Sequence, residues 1–115
     1  MRIEVRGRNL EVTDELRDHV AKRFSRTAQQ VSELARLEVE LYEERNPSIT
    51  DRHVAEATLY LKGVTLRARE ASPDMLHSIH ELAEDIRRQV KRHREKRRGR
   101  ARSRRAMGRW RGRTA

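Results

Sequence analysis

The chain has 115 residues, of which 28 are Lys or Arg and 18 are Asp or Glu, for a net charge of +10, and it contains no cysteine. At this length it makes one domain plus an appendage. Disulfide frameworks and cysteine zinc sites are excluded, and no apolar run approaches the roughly 18 residues of a membrane span.

In chain order, Arg2-Ile3-Glu4-Val5-Arg6 alternates polar and apolar residues, which predicts a half-buried strand and not a signal-peptide core. A cytoplasmic location is expected. Gly7-Arg8-Asn9 ends the strand. Thr13 is placed to cap a helix, with Asp14 and Glu15 in its first turn, where acids suit the helix dipole. Leu16, Val20, Phe24, Ala28 and Val31 then recur at helical spacing, predicting one amphipathic helix over 14–30. On its other face His19, Lys22 and Arg26 form a stripe, with Arg17 and Arg23 nearby.

Leu37, Val39 and Leu41 alternate with Glu38, Glu40 and Tyr42, a second strand, and Asn46-Pro47-Ser48 marks a loop. Two more alternating runs, around residues 55–62 and 64–69, flank Gly63 and predict a hairpin. Ser72-Pro73-Asp74 opens a second helix, with Ser72 as the expected cap and Pro73 in the first turn. Met75, Ile79, Leu82, Ile86 and Val90 keep its apolar face; the helix is expected to run to about residue 97. From Arg98 the chain is Arg, Gly, Ser and Ala with a lone Trp110, a composition that predicts disorder.

The expected order is β-α-β-β-β-α. Each strand has one apolar face, so the sheet is covered on one side only, by the two helices. The result is an α+β two-layer sandwich, with residues 1–97 as the domain and 98–115 as a basic tail. The open face of the sheet is expected to carry Glu4, Glu38, Glu40 and Glu56 with Arg2, Arg67 and Arg69.

Charge is concentrated at one end. Residues 87–115 hold 15 basic residues and one acid, Glu95, for +14, whereas residues 1–86 hold 13 basic and 17 acidic residues, for −4. So dense a block suits a polyanion, of which the phosphate backbone is the commonest. Arg87, Lys91 and Arg94 share one helix face, and Arg88 and Arg92 lie beside it. Several cations so arranged touch phosphates together and release condensed counterions. A solvated helix end needs only two or three. If the helices pack side by side, the 19–26 stripe joins this row in one basic surface. The tail arginines suit phosphate, and Trp110 is able to stack on a base; both are read as nonspecific. Asp74, His77, His80, Glu81 and Glu84 are spaced like metal ligands but read as an exposed polar face. No nucleophile–base–orienter trio, phosphate-cradling glycine loop or zinc-protease motif occurs. No enzyme, cofactor, metal or small-molecule substrate is expected.

The residues in view resemble the ribosome hibernation-promoting factor family, which includes ribosome-associated inhibitor protein Y. Gly7-Arg8-Asn9-Leu10-Glu11-Val12-Thr13-Asp14-Glu15-Leu16-Arg17 matches the family's turn and helix start, and Glu56-Ala57-Thr58-Leu59 its third strand. Asp74-Met75, Arg88-Gln89 and Lys91-Arg92-His93-Arg94-Glu95-Lys96 match its last helix. The ordered set covers about residues 1–97. The resemblance implies binding in the small-subunit channel used by mRNA and tRNA, with inhibition of translation in stationary phase or stress. It places ribosomal-RNA contacts at Lys22, Arg23 and Arg26, and at Arg88, Arg92, Arg94 and Lys96. Leu76 stands where members usually have Tyr, His80 where many have an acid, and Asp85 where many have Lys. Longer members add a domain that pairs ribosomes, which is not expected in residues 98–115, and protein Y has an acidic tail where this one is basic.

The sequence therefore predicts a ribosome-binding translation inhibitor that competes with mRNA and tRNA, using Lys22, Arg23, Arg26, Arg87, Arg88, Lys91, Arg92, Arg94 and Lys96. The alternative is a general structured-RNA-binding module. Double-stranded-RNA modules hold phosphates at the start of the last helix, but here that start is Ser72-Pro73-Asp74. A membrane-surface role is disfavoured because the tail has no apolar face.

Overall fold

The structure, a computed structural model, describes the backbone of residues 1–113 and the side chains of residues 1–99. The elements are β1 (Arg2–Arg8), α1 (Asp14–Arg23), α2 (Ser25–Gln30), β2 (Arg36–Glu43), β3 (His53–Leu61), β4 (Val64–Ser72) and α3 (Met75–Arg113). The sheet order is β1-β2-β3-β4. β1 runs parallel to β2, and the other two pairs are antiparallel. A parallel pair needs a crossover, which α1 and α2 supply. Leu37, Val39, Leu41, Ala55, Ala57 and Leu59 meet Val20, Phe24, Ile79, Leu82, Ile86 and Val90 in one core. This is the expected α+β sandwich, with its helices on one face of a four-stranded sheet.

Three helices form where two were expected. The 14–30 helix breaks at Phe24, whose φ of −92° and ψ of 6° leave the helical range. Ser25 Oγ donates to the Lys22 carbonyl at 2.8 Å, a local bond of the kind that competes with the helical ladder. Val20, Phe24 and Thr27, spaced i, i+4, i+7, keep one inward face across the break; each is at most 1% exposed.

Thr13 caps α1 as expected, its Oγ1 accepting from Leu16 N at 3.2 Å. The cap of α3 lies two residues beyond the expected one. Asp74 Oδ2 accepts from His77 N at 3.2 Å, so Asp74 satisfies an orphan donor of the first turn. Ser72 stays in β4, and its hydroxyl lies 2.6 Å from that of buried Ser78. Ser78 Oγ in turn donates to the His53 carbonyl at 2.6 Å, stitching α3 to β3.

The Gly7-Arg8-Asn9 turn has a clear physical basis. A Cβ at Gly7 would collide with the Leu10 carbonyl, and Asn9 sits at φ 57°, a left-handed conformation that Asn tolerates. Gly63, at φ 80°, turns the β3–β4 hairpin.

The helix α3 has 39 residues, roughly 58 Å at 1.5 Å per residue. It continues past Arg98, where composition predicts disorder; Arg and Ala are good helix formers, and their propensity runs on beyond the apolar stripe. Trp110 and the arginines from Arg100 onward lie outside the residues whose side chains are described.

The open sheet face is an internally neutralised lattice. Arg2 pairs with Glu4, Arg6 and Arg36 with Glu38, Arg8 with Glu40, and Arg69 with Glu56, all at 3.5–3.9 Å. Arg8 lies over the Tyr42 ring at 3.9 Å and Arg36 over Tyr60 at 4.5 Å. Each tyrosine donates to a glutamate, Tyr42 to Glu56 and Tyr60 to Glu38.

Candidate nucleic-acid interface

The end of α1 and the start of α2 lie alongside α3, because Val20 and Phe24 share the core with Ile79, Ala83 and Ile86. That packing leaves the exposed Lys22, Arg23 and Arg26 across a cleft of about 400 Å³ from His80, Ala83 and Glu84. One to two turns further along α3, Lys91, Arg94, Glu95 and Arg98 line a second hollow of about 210 Å³ against Gln30 of α2. Arg87 lies between the two. The first-helix cations and the Arg87, Lys91, Arg94 row are thus brought to one side of the molecule. Arg98, absent from the expected set, continues this row at i, i+4, i+7, i+11, a signal the sequence carries.

Arg87 is not a free cation. Its Nη2 donates to Glu84 Oε2 at 2.7 Å, and its Nε is buried without a partner among the described residues. The Arg87 guanidinium holds the Glu84 carboxyl below the usual carboxylate range.

Arg88, Arg92 and Lys96 recur every four residues and form a second row, turned about the helix toward β4. Arg88 faces acids there. Burial, then Asp85 and Glu81, push the Glu70 carboxyl above its ordinary range, while the Arg88 charge opposes the shift. Gln89 Nε2 donates to the Arg67 carbonyl at 2.8 Å and to Asp85 Oδ1 at 3.0 Å, fixing this side of α3 to β4. Arg92 and Lys96 are exposed.

Two residues of the expected first-helix stripe do not join the surface. His19 is half-buried, with Nε2 fully enclosed. Arg17 reaches back instead, Nη1 donating to the Val5 carbonyl at 3.4 Å. Arg17 is on the flank of α1 that reaches β1, and His19, two residues on, is on the opposite flank. Of the polar run on α3, Asp74 is the cap, His77 Nε2 lies 3.9 Å from Glu81, and His80 and Glu84 face the cleft. No group of three metal-ligating side chains comes together among the described residues, and no described helix is long and apolar enough to cross a membrane.

The surface therefore carries two basic rows on one helix and a third basic cluster across a cleft from His80 and Glu84 of that helix. The sequence model of the sigma 54 modulation protein / S30EA ribosomal protein family matches residues 3–98. The ribosome hibernation promotion factor of Picosynechococcus sp. is 32% identical over 97 residues, which are 84% of this chain and 50% of that protein. The chain thus spans half the length of that relative. The ribosome hibernation promoting factor of Salmonella typhimurium is 30% identical over 96 residues, 84% of this chain and 96% of that one. The crystal structure of the Thermus thermophilus protein Y N-terminal domain superposes with a TM-score of 0.71 at 30% identity, covering 81% of this chain and 99% of that one. A ribosomal subunit interface protein from Coxiella burnetii shares the fold at 18% identity and a TM-score of 0.70, covering 83% of this chain and 99% of that one. On the family match across residues 3–98, the chain belongs to the sigma 54 modulation protein / S30EA ribosomal protein family, alongside the ribosome hibernation promoting factors.

Proposed function

We infer that this chain binds ribosomes and inhibits translation without being an enzyme, by occupying the mRNA and tRNA channel of the small subunit and contacting its ribosomal RNA. The observation that carries the reading is the gathering on one side of the molecule of Lys22, Arg23 and Arg26, across their cleft from His80 and Glu84, and of Lys91 and Arg94, which line a second hollow further along α3. Residues 1–86 carry −4, so a basic surface at this place is not a by-product of composition. The relatives, ribosome hibernation promoting factors, support the same reading.

In this reading residues 1–97 carry the specific contacts, through Lys22, Arg23, Arg26, Arg87, Arg88, Lys91, Arg92, Arg94 and Lys96, and residues 98–115 act as an electrostatic tether. Guanidinium groups suit phosphate through bidentate bonds. Contacts to about 6–10 phosphates lose about 10³–10⁵ in affinity between 50 and 200 mM salt. The test is a sucrose-gradient profile of ribosomes with and without the protein. It should sediment with the small subunit and be displaced by excess tRNA and mRNA. Equal affinity for bare duplex RNA and for ribosomes overturns the channel reading in favour of a general RNA-binding module.

A further inference from the structure

The place where α3 leaves the core holds a small cavity of about 140 Å³ between α2, the β3–β4 hairpin and α3. Its walls are of two kinds. Val31 and Leu61 pack on the core and Val90 is fully buried, giving an apolar floor. Lys62, Arg94 and Arg97 are exposed, giving a cationic rim. No carboxylate lines it. Three other described cavities each contain one: Glu56, Glu95 or Glu84.

The geometry points to this cavity as a socket for one unpaired pyrimidine nucleotide of an RNA strand, its ring on the apolar floor and its flanking phosphates on the rim. The inference rests on the RNA-binding reading and adds to it a subsite that takes a base. Size supports a single ring: an apolar cavity of about 150 Å³ holds one benzene. Chemistry supports a nucleotide, because a splayed base presents an apolar face within a few ångströms of its own negative charge. Arg94 contributes to both this rim and the neighbouring hollow with Lys91 and Arg98, so a strand lying along α3 passes from one to the other. The half-buried His93 ring also lines the cavity, and neutral imidazole is able to donate or accept at a base edge.

The test compares the full chain's affinity for a uridine hexanucleotide with that for an abasic hexamer of equal charge, following the methyl NMR signals of Val31, Leu61 and Val90. The uridine strand should bind about tenfold more tightly, as expected for burying a modest apolar area on the floor, and should shift all three methyls. Val31→Phe, which fills the cavity, should abolish the tenfold preference and leave abasic binding unchanged. Equal binding of the two strands by the native chain, with no methyl shift, overturns the socket while leaving phosphate binding standing. Failure of both strands to bind overturns the RNA reading with it. Methyl shifts caused by an acidic peptide and not by the uridine strand overturn the inference in favour of a protein partner. The comparison on the native chain decides the matter if Val31→Phe does not fold.

Discussion

Arg87 Nη2 and Glu84 Oε2 lie 2.7 Å apart across one turn of α3, at the lip of the cleft that faces Lys22, Arg23 and Arg26. The bond commits Arg87, the first cation of the α3 row, to an internal partner. Both side chains are more than a third exposed, so the pair contributes under about 1 kcal/mol to stability. On the proposed function its effect on binding is expected to be larger, because Glu84 would repel the phosphates that Arg87 meets.

Glu84→Gln should therefore tighten binding to small subunits several-fold at low salt. Releasing Arg87 to one further phosphate should steepen the log–log salt slope by about 0.7–0.9. Filter binding at several salt concentrations checks both; an unchanged slope means that the bond to Glu84 does not hold Arg87 back from a phosphate.

Replacing Arg88, Arg92 and Arg94 together with Gln should abolish inhibition of a cell-free translation reaction even with residues 98–115 present. Deleting 98–115 should weaken binding yet leave its position on the subunit unchanged, as read by footprinting of ribosomal RNA. A triple variant that still inhibits fully would show that charge alone suffices.

Gly7→Ala should destabilise the fold by about 1–3 kcal/mol, the usual cost of forcing an atom into a filled space. The new methyl meets the Leu10 carbonyl, a backbone atom that moves only with the whole turn. Urea denaturation measures the loss; a midpoint equal to the native chain's contradicts the steric account.

Glu70 and Glu84 respond to pH in opposite senses. Glu70 has its pKa raised in the fold, so its contribution is fully present below the ordinary carboxylate range and is lost as pH rises through the folded value. Glu84 has its pKa lowered, so its contribution is present above that range and is lost as pH falls through the folded value. Glu70→Gln should thus stabilise by about 0.5 kcal/mol at pH 7, the scale of a surface change. The gain should vanish below about pH 4. Thermal melts at the two pH values give the comparison.

The strands were legible because alternation over residues 2–6, 37–42, 55–62 and 64–69 is a local signal, and each lies inside an observed strand or within one residue of its end. The break at Phe24 was not, since apolar spacing runs unbroken through it and the cause is a side-chain bond from Ser25 to Lys22. The α3 cap was off by two residues because Ser72 and Asp74 are both good caps, and only the length of β4 decides between them. The bonds joining Tyr42 to Glu56 and Tyr60 to Glu38 span 14 and 22 residues of chain and depend on strand register, which alternation does not fix. In the candidate site the α3 rows followed from helical spacing. The partial burial of His19 did not, because it depends on how α1 packs in the fold and not on spacing along the helix.

The cleft joins Lys22, Arg23 and Arg26 to His80 and Glu84, segments that β2, β3 and β4 separate along the chain. A melted chain keeps all 28 of its cations but has no cleft. On the proposed function, attraction to nucleic acid in general outlives the fold, whereas the ability to discriminate one place on it does not. A heated preparation should still stick to RNA, and stickiness alone is then a poor measure of whether this protein is intact.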